Sequence, residues 1–445
     1  MSANDTNNLM EKIVSLCKRR GFVYQGSEIY GGLAGTWDYG PLGVALKKNI
    51  ENLWWRYFVD SRDDMYGIDS AILMNPKVWE ASGHVGGFSD PLVQCEKCKR
   101  RFRADHIDDV TKCPECKGKL SLPRQFNMMF KTSVGSVDGS DTTVYLRPET
   151  AQGMFVNFKN IVDSYHPKLP FGIAQIGRNF RNEIAPRDFV FRVRELEIME
   201  FEYFIEEKTW EEQFEYWQSQ MRGWFTLLGF AQDDIREIEI PDGERAHYSK
   251  RTVDFHFNYP HKFDEIGGLA YRTDFDLRNH IEHSGVDLQY MDPNTNEKLV
   301  PHVLEPTFGL GRHLLAVLVK AYTEDELGGE KRVYLKFPPY LAPIKAAVFP
   351  LLKNKPELVA KAREVYANLK KDIPQIVWDD NGNVGKRYRR QDEIGTPFCI
   401  TVDFDTLGET AQMLDTVTVR DRDTGEQMRV AVSELPAYLL AKIRV

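Results

Sequence analysis

The run QIGRNFRNEIAPRDFVFRVR, Gln175 to Arg194, decides how the rest of the chain is read. Two strand-like stretches, Gly172 to Gly177 and Phe189 to Arg194, flank a loop through Ile184-Ala185-Pro186-Arg187-Asp188, with Phe180-Arg181-Asn182-Glu183 at its inner end. Strand, loop, strand with an inner arginine suits a phosphate grip, because a guanidinium presents planar paired donors. The same residues equally suit a surface hairpin carrying an Arg–Glu pair. Nothing inside the run separates the two readings.

The strand that follows adds a direction. In Leu196 to Tyr203, Met199, Phe201 and Tyr203 share one face, while Glu200 and Glu202 share the other. With the first face in the core, Glu200 looks into whatever the sheet exposes. Further on, VLEPTFGLGR (Val303 to Arg312) reads as a strand carrying Glu305, a glycine turn and a helix opened by Arg312. A helix N-terminus with an arginine favours a phosphate tail, although an ordinary strand-to-helix turn reads the same way. RPETAQG, Arg147 to Gly153, is a third polar island.

Periodicity places helices over Leu9 to Arg20, from Pro41 with Leu42, Leu46, Ile50, Leu53, Trp54 and Tyr57 on one stripe, over Thr209 to Leu228, and over Arg312 to Tyr322. Strands fall at Thr252 to Phe257 and Leu269 to Phe275. The chain's 445 residues are too many for one core. The pattern changes at PPYLAP, Pro338 to Pro343, which sets a boundary between residues 1–337 and 338–445. The tail reads as compact α/β: strands at Ala346 to Leu352, Ile376 to Trp378 and Phe398 to Val402, a helix at Pro356 to Lys371, and a hairpin turning at Asp423-Thr424-Gly425.

A net charge of −8 excludes a basic nucleic-acid coat, yet from Leu341 onward 16 Lys/Arg meet 15 Asp/Glu. The tail is thus the part less repulsive to a polyanion. No window reaches the ~20 apolar residues of a membrane span, and MSANDTNNLMEKIV lacks a signal peptide's apolar stretch. A cytoplasmic location without membrane attachment is expected. Four of the six cysteines, Cys95, Cys98, Cys113 and Cys116, form two C-x2-C knuckles within residues 93–122. This spacing predicts a zinc ribbon, structural because four thiolates leave no open coordination position.

Together these runs resemble the class II aminoacyl-tRNA synthetases, and among them the dimeric glycyl-tRNA synthetases. DYGPLG, ASGHVGGFSDP, RFRAD, RPETAQG, FRNE, FRVRE, DEIGG, RTDFDL, EPTFGLGR, GKRYRRQDEIGTPF and TVTVRDRDTGEQ carry the resemblance in order along nearly the whole chain. It implies an α/β chain: an α+β catalytic core on a six-stranded antiparallel sheet with helices, the zinc-ribbon insert, and a C-terminal α/β anticodon-binding domain. It implies a homodimer formed through the helix and strand after Gly40-Pro41. It also implies two steps, glycine activation by ATP with magnesium and then transfer to tRNA.

By the resemblance, Arg181 and Arg312 are the catalytic residues, on the α-phosphate and the γ-phosphate. ATP is also held by Asn182, Glu183, Phe191, Arg192, Val193, Arg194, Glu195, Leu196, Glu265, Ile266, Gly309, Leu310 and Gly311, with Glu265 a magnesium ligand. Glycine is held by Arg103, Glu149, Leu196, Glu197, Ile198, Met199, Glu200, Glu305, Pro306, Thr307, Phe308 and Gly309. Lys386, Arg387, Arg389 and Arg390 meet tRNA, where a solvated helix face is the plainer reading of the charge run. Two positions depart from the family's pattern: Thr307 stands where serine is usual, and Leu196 where a ring is usual.

Overall fold

A computed structural model describes residues 3–135 and 143–444. Helix α1 (Ala3–Arg20) starts ahead of the apolar periodicity that begins at Leu9. Helix α2 (Pro41–Trp55) opens on Pro41, whose missing N–H is no loss in a first turn, and buries Leu46, Ile50 and Trp54. Strand β1 (Met65–Gly67) follows. Beyond the cysteine insert come β2 (Phe171–Phe180), β3 (Glu195–Ile205), α3 (Trp210–Leu227), β4 (Ile235–Glu239), β5 (Arg251–Asn258) and β6 (Phe263–Thr273). Helix α4 (Phe275–Ser284), β7 (His302–Gly309) and α5 (Leu310–Ala321) complete this part.

The strands form one sheet in the order β4-β5-β6-β7-β3-β2-β1. Six are antiparallel, as expected, and β1 adds a short seventh that runs parallel to β2. One face of the sheet carries Met199, Phe201 and Phe308 into a core shared with Trp54, Trp217 and Leu314 from α2, α3 and α5. The opposite face is left for chemistry.

One strand assignment fails. Phe189 to Arg194 is a tight turn, and β3 begins only at Glu195. Asp188 and Phe189 sit at φ 60° and 58°, reversing the chain so that Arg187 pairs with Arg192. The apolar residues that mimic a strand are buried for another reason. Phe189 packs edge-on against Trp37, and Phe191 against Tyr259.

Past α5 a hairpin, β8 (Tyr322–Leu327) and β9 (Glu330–Leu335), leads to the tail. There β10 (Ala346–Pro350), α6 (Pro356–Asp372), β11 (Ile376–Trp378), α7 (Val384–Glu393), β12 (Phe398–Val402), β13 (Thr416–Asp421), β14 (Gln427–Ala431) and α8 (Leu435–Ile443) surround a separate core. The sheet runs β11-β10-β12-β13-β14, and α6 turns Leu358, Ala362, Val365 and Leu369 inward at helical spacing. Buried arginines bind the tail to the hairpin. Arg332 on β9 pairs with Asp325 at 2.6 Å and Asp392 at 3.2 Å, and it donates to the Arg422 carbonyl at 2.7 Å. Arg422 donates to the carbonyls of Gly395 (2.7 Å) and Phe337 (2.8 Å). Among the described residues no helix is long and apolar enough to cross a membrane.

The basic run on α7 divides. Lys386 is exposed, Arg389 pairs with Glu330 at 2.7 Å, and Arg390 clamps Asp379 with two nitrogens. Arg387 is not the surface contact expected of it. It is 1% exposed and donates to the carbonyls of Pro350, Asp380 and Gly382. Helical periodicity turns one residue of any such run inward, and here that residue ties three loop carbonyls together. Arg387→Leu strands those acceptors, so the protein should lose about 3 kcal/mol in urea denaturation. Lys386→Leu should leave the midpoint unchanged.

Candidate functional site

The β3 alternation that the sequence displays sets the site's floor. Glu200 stands opposite Gln175 on β2 and Thr307 on β7, Thr307 opposite Gly268 on β6, and Gly268 opposite Asp254 on β5. This row crosses the open face of the sheet. One step along, Glu305 faces Ala270. The β3–β7 ladder is interrupted beside Pro306, which has no N–H, and continuing the register sets Glu202 against Glu305.

Side chains from the short helix Ala151–Val156 and from α4 close over this row. Thr150 donates to Glu200 Oε1 through its N–H (3.0 Å) and its hydroxyl, while Thr307 donates to Oε2 at 3.3 Å. Gln152 bridges Glu149 and Asp276 at 2.9 Å each. His84 Nε2 lies 3.3 Å from Glu149, with its Nδ1 held by Ser82. Arg272 clamps Asp276 through two nitrogens and reaches Glu305 at 2.7 Å, with its guanidinium over the Tyr248 ring. The cleft they border, about 370 Å³, is edged by Glu149, Glu200, Glu305, Thr307 and Tyr248.

These acids differ in charge. Burial alone would raise Glu149, but His84 and Arg272 outweigh it and hold this carboxyl well below the usual range. Burial raises Glu200, opposed by the Thr150 hydrogen bonds and aided by Glu149. Burial pushes Glu305 up to about 8 despite Arg272, with Glu200 and Glu149 adding to the rise. A pocket that crowds one readily ionised acid with two that burial holds back from ionising favours a small cation.

A second cavity, about 720 Å³, opens beside the first and has the opposite character. Arg181, Arg192, Arg103 and Arg312 face it, with Glu183, Phe191, Leu196 and Glu265. Arg312 pairs with Glu265 at 2.9 Å and lies 4.5 Å from the Phe191 ring centre. Glu183 keeps a buried carboxylate oxygen without a partner. Gly311 lets the wall come close, since a Cβ there would lie 2.9 Å from the Val190 carbonyl. Arg181 and Glu265 border both cavities and so mark their junction.

Of the residues expected to hold the nucleotide, Arg181, Glu183, Phe191, Arg192, Val193, Glu195, Leu196, Glu265, Gly309, Gly311 and Arg312 line the larger cavity. Ile266 and Leu310 do not, because both are fully buried in the core. Arg194 turns its guanidinium to the carbonyls of Glu183 and Ala34 instead. Asn182 is held by its N–H on the Met128 carbonyl, and it does not line that cavity.

Among the residues expected around glycine, Glu149, Ile198, Glu200, Glu305 and Thr307 border the smaller space. Met199 and Phe308 lie on the core face, as does Pro306 by alternation, because successive strand residues face opposite ways. Glu197 is likewise turned away and pairs with Lys47 of α2 at 2.6 Å. Arg103 belongs with the larger cavity, salt-bridged to Asp90 and Asp105. The sequence reading assigned no role to His84, Thr150, Gln152, Arg272 or Asp276, although the motifs ASGHVGGFSDP, RPETAQG and RTDFDL contain them. Asp254, which burial and the nearby Glu265 push up to about 7, belongs to no such motif.

The four cysteines of the insert converge. Their sulfurs all lie within 4.8 Å of one another, with Cys95–Cys116 at 3.5 Å and Cys98–Cys113 at 3.7 Å. A tetrahedron with Zn–S bonds of about 2.3 Å has edges of about 3.8 Å, so the donor set fits. Lys99 and Lys117 turn at φ 59° and 58°, and a Cβ on Gly118 would sit 3.1 Å from Cys95 Sγ.

Fold and site together define a class II aminoacyl-tRNA synthetase. Residues 113–321 match the tRNA synthetase class II core domain (G, H, P, S and T), and residues 345–442 match the Anticodon binding domain. A glycine–tRNA ligase from Clostridium acetobutylicum is 50% identical over 465 residues, covering 98% of this chain and 99% of its own. Those of Bacillus thuringiensis subsp. konkukian and Alkaliphilus metalliredigens are 48% and 49% identical, over 98% and 99% of this chain and 99% of each relative. The chain belongs to the glycine–tRNA ligase family.

Proposed function

We propose that this chain joins glycine's carboxylate to the α-phosphate of ATP, releasing pyrophosphate, and passes the glycyl group to the terminal ribose hydroxyl of tRNA. One observation carries the reading. Arg181 stands where an acid-lined pocket meets an arginine-lined cleft, which is where carboxylate and α-phosphate must meet. Glu149, Glu200 and Glu305 receive the ammonium, and selection for glycine requires that the space of a larger side chain be filled or blocked. Arg181 steadies the α-phosphate, Arg312 the triphosphate tail, and Glu183 and Leu196 border the base. No protein nucleophile is needed, because positioning and charge stabilisation drive the step. ATP–pyrophosphate exchange dependent on glycine, followed by charging of total tRNA, tests the proposal. Absence of exchange with glycine overturns it.

Glu265, with Asp254 crowded beside it, would hold magnesium, which neutralises triphosphate charge when bound. The division at residues 337/338, the cytoplasmic location and the homodimer through α2 and β1 belong to the same reading. Exposed Ile29, Tyr30 and Leu33, on the segment leading to α2, give apolar surface for the dimer. Lys386, Arg389 and Arg390 remain on the tail's surface for tRNA, and Arg387 does not.

Two further results are expected. Glu305 rises to about 8 in the free protein, and the ammonium needs its ionised form. Glycine binding therefore expels a proton below that pH, and the glycine KM should fall as pH rises toward 8, by at most ~10-fold per unit. A KM that does not change over the ~1.5 units between pH 6.5 and 8 argues against Glu305. Cys95, Cys98, Cys113 and Cys116 would hold one zinc per chain. Chelation should release it and open the insert to proteolysis, as Cys98→Ser should without chelator. A metal-free insert that resists protease excludes the zinc role.

A further inference from the structure

Glu202 is the one acid on the open face of β3 to which the mechanism gives no task. It is fully buried, and neither carboxylate oxygen has a hydrogen-bond partner. The charged groups around it are Glu200 on its own strand, Glu305 on β7, Arg272 on β6 and Asp276 on α4, while β2 sets the apolar Ile173 opposite it. The Arg272 guanidinium lies 3.8 Å from the Tyr248 ring centre and 5.3 Å from that of Phe155 on the short helix. The single cation in the group is already committed, with two nitrogens of Arg272 on Asp276 and a third on Glu305. A carboxylate at Glu202 would be shut off from bulk solvent without a protein donor, and directly opposed like charges across a strand pair repel.

We propose that Glu202 is a positioning residue for the amino-acid pocket: an uncharged carboxylic acid beside Glu305 that leaves Arg272 bound to Glu305 and Asp276, so that Glu305 meets the substrate's amino group in a fixed pose. Burial first, and Glu305 next, raise the Glu202 carboxyl well above the usual range. The amino group then meets Glu149, Glu200 and Glu305, and Glu202 supplies volume and a neutral polar surface behind them. The inference rests on the glycine-binding reading of this pocket.

The test has two arms on the full-length protein. Infrared spectra of the ligand-free protein are recorded from neutral pH to ~1.5 units above the Glu305 transition, where an ordinary carboxyl is ionised. The wild type should keep a protonated-carboxyl C=O stretch past that transition, and Glu202→Gln should lose it. In the exchange assay Glu202→Ala should raise the glycine KM ~10-fold with the ATP KM unchanged, and Glu202→Gln should restore it to within ~3-fold. Absence of the band in the wild type, its persistence in Glu202→Gln, or failure of the amide to rescue overturns the proposal. Should Glu202→Gln not fold, Glu202→Met serves the infrared arm, since the band must vanish with it as well. That arm needs no substrate, so its failure is distinguishable from a lack of glycine-dependent exchange, which counts against the functional reading instead.

Discussion

Replacing Arg181 by alanine should cut glycine-dependent pyrophosphate exchange about 10³-fold while leaving the protein folded. The size follows from what the guanidinium does. Removing one preorganised donor to developing oxyanion charge typically costs 10²–10³-fold, and Arg181 offers paired, charge-assisted donors at the junction of the two cavities. The intact fold follows from what it does not do. Among the described residues its side chain makes one hydrogen bond, Nε to the Pro148 carbonyl at 3.1 Å, and no ion pair. Arg147, which lies beside Pro148 and accepts the Phe180 N–H at its carbonyl, behaves oppositely. It is 2% exposed and holds the Arg178 and Ser70 carbonyls, so Arg147→Ala should unfold the floor before activity can be read. Arg181→Ala exchanging within tenfold of the wild type removes Arg181 from the chemistry.

The second large effect is on glycine alone. Glu200→Gln should raise the glycine KM about 100-fold and leave the ATP KM within about threefold, because truncating one partner of a buried charge pair costs 2–5 kcal/mol. Glu200 receives three donors, two from Thr150 and one from Thr307, and each carboxylate oxygen takes at least one. A glutamine must turn its NH₂ toward one of those donors, so the variant loses local order as well as charge. Circular dichroism and the ATP KM separate local damage from collapse. A glycine KM that stays at the wild-type value excludes Glu200 from the ammonium site.

Much of this was legible in the sequence because strands advertise their faces. The alternation from Leu196 to Tyr203 correctly sent Met199, Phe201 and Tyr203 inward and Glu200 outward. The same rule, had it been applied to whole motifs, would have removed Met199, Pro306 and Phe308 from the glycine contacts. A motif is contiguous along the chain, but a strand offers only every second residue to one side. The turn at Phe189 to Arg194 was illegible for another reason. Its apolar residues are buried by distant partners, Trp37 and Tyr259, and its reversal depends on positive φ at Asp188 and Phe189, residue types that do not announce it. Arg272 and Asp276 were hidden differently. Their pairing is a contact within the chain, while their effect is on Glu305, far away in sequence.

The arginine clasp between β9 and the tail has a consequence for how a long partner is read. Arg332 and Arg422 hold Asp392, Phe337 and Gly395 from both sides of the boundary, with hardly any solvent access to either guanidinium. Buried bonds of this kind leave the joint no soft axis to bend about. The tail then acts as the far jaw of a caliper with a locked screw. On the proposed reading, a nucleic acid that touches the tail and the pocket at once meets two surfaces whose separation these buried bonds hold.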